Sequence, residues 1–130
     1  MPVNTPFTPN ADFTAQLTGS GVAIGNAVSP TFSATIALTS ILQGTRFVRI
    51  LGSNTTSSTV SLTTAFVANP GALLVVQVNA DASGTVTATF STGFKATGTL
   101  APTSSTRMLI LFASDGTTWN EVARTGSALS

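Results

Sequence analysis

The sequence predicts an all-β domain: an antiparallel β-sandwich or jelly-roll-like small barrel, preceded by an extended N-terminal arm. Three observations predict it. Several short runs alternate apolar and hydroxyl residues with period two. Other short runs are apolar throughout, and too short for helices. Turn-forming Gly, Pro, Asn and Asp recur between the runs at a spacing of roughly 10–13 residues, which suits a sandwich or small barrel. No twelve-residue segment carries convincing helical periodicity, and no long internal repeat is visible in the residues.

Residues 1–19 read as the arm and 20–130 as the β domain. Pro2, Pro6 and Pro9 each lock φ and remove a backbone donor, so helix is disfavoured and extended backbone favoured. Phe7, Phe13 and Leu17 punctuate this polar stretch and are candidate anchors on a neighbouring surface.

The first alternating run is Thr31–Leu38, with Phe32, Ala34, Ile36 and Leu38 on one face. The second is Thr59–Val67, where Val60, Leu62 and Phe66 share a face that Thr64 interrupts. The third is Thr85–Phe90, where Val86, Ala88 and Phe90 alternate with threonines. Its Thr-x-Thr pattern belongs to a single strand, and ordinary β-propensity accounts for it. These are half-buried strands. Phe47–Leu51, Ala72–Val78 and Met108–Phe112 are apolar on both faces, which places them in the centre of a packed structure or under a second subunit. Gly52-Ser53-Asn54, Asn69-Pro70-Gly71, Ala82-Ser83-Gly84 and Thr92-Gly93 separate the runs. Ser114-Asp115-Gly116-Thr117 predicts a tight hairpin between Met108–Ala113 and Thr118–Arg124.

Charge narrows the function. Only 7% of residues are Asp, Glu, Lys or Arg, and the net charge is +1. That is too little to hold a polyanion by counterion release, so neither a nucleic acid nor a membrane surface is an expected partner. The 24 Thr and 15 Ser take over the polar role. Hydroxyls and methyls are cheaper to cover than charges, and so weakly charged a monomer risks self-association. The composition therefore points to a surface normally covered in an assembly. No apolar run reaches the length of a transmembrane helix, and Met1–Pro6 lacks the shape of a secretory signal.

Catalytic chemistry has few residues to work with. There is no His, Cys or Tyr, which removes the usual nucleophilic triads, thiolate zinc sites and the commonest general base. Four carboxylates remain: Asp12, Asp81, Asp115 and Glu121. Asp115 has a sufficient role in its turn, and Glu121 reads as a strand residue. No phosphate-cradling or calcium loop is present. The expectation is a non-enzyme with no catalytic residue, cofactor or metal. Trp119 reads as a residue covering the end of the sheet, with an interface anchor or a sugar-stacking platform as the functional alternatives. Arg46 and Arg49 are three positions apart and fall on opposite faces of a strand. One of them is expected to pair with a carboxylate across a subunit boundary.

The C-terminal third carries a resemblance. Lys95-Ala96-Thr97-Gly98-Thr99-Leu100 leads through a Pro-Ser-Thr loop to Arg107-Met108-Leu109-Ile110-Leu111-Phe112. Then follows Ser114-Asp115-Gly116-Thr117-Thr118-Trp119-Asn120-Glu121-Val122. This resembles the closing hairpin of tailed-bacteriophage virion structural proteins: fibre tips, head fibres and capsid decoration proteins. The resemblance implies a homotrimer and no enzymatic residue. The chain lacks the long shafts and repeats of tail fibres, which turns the expectation toward a capsid decoration protein. Such a protein would be made in the host cytoplasm and would pack on the capsid surface against the major capsid protein or other virion proteins. Phe7, Phe13, Leu17, Arg46, Arg49 and Trp119 are its candidate interface residues. A head-fibre or tail-fibre subunit is the alternative within the class, and a carbohydrate-binding β-sandwich module using Trp119 the alternative outside it.

Overall fold

Alternating Val, Ile, Leu and Thr favour pleated, half-buried backbone, and the described residues form eight short strands. They are β1 (Thr35–Ala37), β2 (Phe47–Leu51), β3 (Ser58–Thr63), β4 (Leu73–Asn79), β5 (Val86–Phe90), β6 (Phe94–Lys95), β7 (Arg107–Ser114) and β8 (Trp119–Arg124). The computed structural model describes residues 27–52, 57–80 and 84–129. The expected arm and its boundary with the domain lie outside the described residues, as do most of the Gly52-Ser53-Asn54 and Ala82-Ser83-Gly84 turns. Among the described residues the one helical segment is a 3₁₀ turn, Ile41–Gln43.

The strands form two open sheets, ordered β1-β3-β5 and β2-β4-β7-β8-β6. The chain alternates between them from β1 to β5, and strands neighbouring in each sheet run parallel. Thr35 pairs with Ser61, 26 positions on; Phe47 with Val75 and Ser58 with Val86 are each 28 positions apart. The four connections are alternately nine and six residues long. The first five strands are thus turns of a flattened parallel coil. Only β7 reverses direction, pairing antiparallel with β4 and then with β8.

This corrects the expected antiparallel arrangement. A jelly roll is built from antiparallel Greek keys, whereas four of the six strand pairings here are parallel. The physical reason lies in the connections. A tight turn returns a strand beside its predecessor, but six to nine residues carry the chain across the roughly 10 Å between facing sheets. The tight return occurs once, at Asp115–Thr118, where Gly116 has φ +90° and the Asp115 N–H donates to the Thr118 carbonyl at 3.2 Å.

One core lies between the sheets. Ile36, Val60, Leu62, Val86 and Ala88 from the smaller sheet meet Val48, Ile50, Leu74, Val76, Val78, Ile110, Phe112 and Trp119 from the larger. Phe90 on β5 and Phe112 on β7 join the two sheets, with ring centroids 5.1 Å apart, and Phe94 completes the cluster at 5.5 and 5.1 Å. Each fully buried aliphatic contributes on the order of 1.5–3 kcal/mol of transfer free energy.

The alternating runs bury the faces expected of them, with shorter strands. Thr31–Leu38 pairs only over β1, and Ala34 is exposed. The second run stops at Thr63 because the buried Thr64 turns the chain: its hydroxyl donates to the Phe66 carbonyl and accepts the Phe66 N–H, both at 3.0 Å. The Thr92–Gly93 turn packs on that corner. Gly93 has φ +90°, and a Cβ there would fall 2.3 Å from the Thr64 carbonyl oxygen, so no larger residue fits. Among the described residues, the three runs apolar on both faces fully bury only one face, the other being half-buried or exposed.

Candidate assembly surface

The outward faces of the two sheets differ in chemistry. On the smaller sheet, Thr35, Ser61 and Thr89 form one cross-strand row and Thr59 with Thr87 another; Ala37 pairs with Thr63 beside them. Thr87 and Thr89 therefore have hydroxyl neighbours on two further strands. Several of these hydroxyls are engaged locally: Thr89 donates to the Val60 carbonyl at 3.3 Å, and the Ser61 and Ser91 hydroxyls lie 3.4 Å apart.

On the larger sheet the register places Phe47, Val75, Leu111 and Ala123 in one row across four strands. Leu73 and Ala113 form a shorter row beside it, and Arg49, Gln77 and Leu109 a row on its other side. Leu51, Asn79 and Arg107 close the face at its polar end. Leu73 is 52% exposed and Leu51 41%. Val75, Leu109, Ile110, Leu111, Ala123 and Thr125, with Arg124 among them, line an open depression of ≈ 290 Å³ in the middle. Nothing within the described residues covers this apolar area.

Arg49 stands at its edge. Its Nε is buried and has no hydrogen-bond partner. An unpartnered guanidinium N–H beside apolar side chains is a costly arrangement until an acceptor arrives.

The other expected interface residues fall elsewhere. Trp119 is fully buried, and its Nε1–H donates to the Phe66 carbonyl at 3.1 Å. The anchor and sugar-platform roles thus give way to the core role, because no ring face is left for a neighbour. Arg46 lies 5.7 Å from the Trp119 ring and 5.8 Å from the Phe66 ring, and its Nη1 donates to the Leu42 and Thr45 carbonyls. It knits an internal corner. Phe7, Phe13 and Leu17 lie outside the described residues.

Both described carboxylates are held by structural bonds. Asp115 Oδ1 accepts the Thr118 and Thr117 N–H groups at 2.7 and 2.8 Å; these bonds, with the Asn120 side chain, lower its pKa to about 2. Glu121 pairs with Arg124, whose Nε lies 2.5 Å from Oε1 and Nη2 2.8 Å from Oε2. Hydrogen bonding to Arg124, followed by the Thr97 N–H, lowers the Glu121 pKa, and the same pair raises that of Arg124. Arg124 also donates to the Thr99 and Thr97 carbonyls at 2.9 and 2.7 Å. The pair exists because of a β-bulge. Leu111 pairs with Ala123 but Phe112 with Glu121, so Val122 is the extra residue. In a regular strand, positions three apart face opposite ways; the bulge brings Glu121 and Arg124 to one side. Val122 itself is pushed out, 59% exposed.

Sequence reasoning identified Arg49 and the doubly apolar runs, but missed that those runs align into one continuous face. The signal was available in their shared period; the register that aligns them was not. No protein-family model matches the chain, and no curated protein matches it significantly.

Proposed function

We propose that the chain is a non-catalytic structural subunit of a tailed-bacteriophage virion, a capsid decoration protein. On this reading the two sheets are a β-sandwich that trimerises and packs on the capsid surface against the major capsid protein. One observation carries it: the larger sheet bears apolar rows on its outer face as well as its inner one, and the described residues cover only the inner. A continuous apolar sheet face of this kind marks an interaction surface. The sparse charge and the hydroxyl-rich exterior support the same reading, since little ionic desolvation opposes their burial. The resemblance of residues 95–122 to virion hairpins supplies the class of assembly and the expected trimer. Many symmetric copies on a shell would hold by avidity even where each contact is modest.

A head-fibre or tail-fibre subunit is the second reading. The parallel coil favours it, because such coils stack along an axis.

Light scattering on the purified full chain tests the proposal. The expected mass is about three times the 13.1 kDa chain, with co-sedimentation on capsids. A stable monomer that does not bind capsids overturns it.

A further inference from the structure

Among the described residues nothing covers the outer face of the larger sheet, and the same chain carries a segment suited to provide a cover. Val28 sets the geometry. It forms a parallel bridge with Val48, its N–H donating to the Phe47 carbonyl at 3.1 Å and its carbonyl accepting the Arg49 N–H at 2.9 Å. The described chain therefore begins on the β2 edge of this sheet. Because the bridge is parallel, Ala27 lies toward the Phe47 end. That is the apolar end, where Phe47, Leu73, Val75, Leu111 and Ala113 gather.

Length and charge decide the occupant. Twenty-six residues precede Ala27. Extended, they reach about 85–95 Å, whereas five strands span only about 20 Å. That reach extends beyond its own face to that of a sister copy, and Pro2, Pro6 and Pro9 disfavour helix in it. It holds the apolar side chains Phe7, Phe13 and Leu17 and one ionic side chain, Asp12. Of the four carboxylates, Asp115 is taken up by its turn and Glu121 by Arg124, which leaves Asp12 and Asp81, and of these two Asp12 lies on the arm. Asp12 is thus an available counter-charge for Arg49, whose Nε is buried without a partner.

We propose that residues 1–26 of one copy lie across the outer face of the larger sheet of a sister copy, with Phe7, Phe13 and Leu17 as apolar anchors and Asp12 against Arg49. The proposal rests on the assembly reading and names the surface through which it works. Exchanged arms link each copy to the next, so three copies close a ring without a large direct contact between domains. Ordering the arm costs conformational entropy, which burial of the phenylalanines and the Asp12–Arg49 bond offset.

The absence of cysteine makes a direct test available on the full chain. Phe13→Cys combined with Leu111→Cys creates the molecule's sole thiol pair, and both changes are mild enough to keep the fold. Under gentle oxidation the expected products are covalent dimers and trimers on a non-reducing gel. The control pair Phe13→Cys with Thr59→Cys, on the hydroxyl face, should give a loss of those bands. Adding Arg49→Gln to the first pair should lower the cross-linked yield. A disulfide that closes within one chain overturns the exchange, as does failure to cross-link or equal cross-linking of the control. An unchanged yield with Arg49→Gln overturns the Asp12 contact. Light scattering on the unaltered chain separates the two levels. A trimer with failed cross-linking leaves the assembly reading standing without arm exchange; a monomer overturns both.

Discussion

The two sheets bury their inner faces by the same rule and treat their outer faces in opposite ways. On the smaller sheet every second residue is a hydroxyl or a methyl: Thr35, Ser61 and Thr89 in one row, Thr59 and Thr87 in the next. On the larger sheet the corresponding positions hold an apolar row, Phe47, Val75 and Leu111, with Arg49, Gln77 and Asn79 toward its polar end. Both patterns are good β-formers, so propensity does not distinguish them. What differs is the cost of leaving them wet. A threonine face is satisfied by water; each half-buried Leu or Val on the other face forgoes part of the roughly 25 cal/mol per Å² that covering it would return. On the proposed assembly, the contrast assigns water to one side of the molecule and protein to the other.

The most damaging way to break the contrast is to put a charge on each face in turn. On the proposed trimer, Leu111→Asp should abolish assembly, reducing the mass from trimer to monomer, because an unpaired charge in a buried contact costs about 3–5 kcal/mol. Thr89→Asp should leave the trimer intact; light scattering on both variants checks this. Inside the shared core, Trp119→Ala removes the largest fully buried side chain and should cost about 3–5 kcal/mol, read by denaturant unfolding at fixed protein concentration.

Acid sharpens the comparison at the larger sheet's edge. The Glu121 pKa is depressed in the fold, so its contribution is complete above its ordinary value of 4.5 and fades as pH falls below it. Asp115 has the same sign, from 3.8 down to about 2. Melting temperature should therefore drop between about pH 5 and pH 2. Glu121→Gln should lower stability near neutrality by about 1.5–2 kcal/mol and flatten the upper part of that acid loss. The smallest effect is expected at Thr87→Val, which keeps a β-branched side chain on the hydroxyl face and should shift stability by no more than about 0.5 kcal/mol.

Much of this was legible in the residues. Val60, Leu62, Val86 and Ala88 point inward as their alternation requires, and Asp115-Gly116 makes the hairpin it announces. Other features follow from facts that periodicity does not carry. Alternation says which way a side chain points, not which strand lies alongside, so the parallel coil stayed hidden. Its repeat is one of spacing, in connections of nine and six residues, with no repeated residues to reveal it. β6 is two residues long, and Val28 joins the sheet by a single bridge; neither is long enough to show a pattern. The Glu121–Arg124 pair needs a bulge that no local motif signals. Arg46 looks like an interface residue and is an internal brace, and Trp119, read as covering the end of the sheet, is fully buried, because Phe66 arrives from a distant part of the chain to engage both.

The reversal at β7 has a consequence for how the molecule can change in size. Between β1 and β5 each circuit of the chain delivers one strand to each sheet, and the antiparallel pair β7–β8 meets only the last strand of the larger sheet, β4. Circuits are therefore modular, while the terminal hairpin is a fixed stopper. Splicing in one extra circuit of about 28 residues at the Asn69–Gly71 turn would lengthen the particle by a single strand spacing of about 4.8 Å and present the stopper with an equivalent docking strand. Height becomes adjustable in whole steps while the closing end stays as it is.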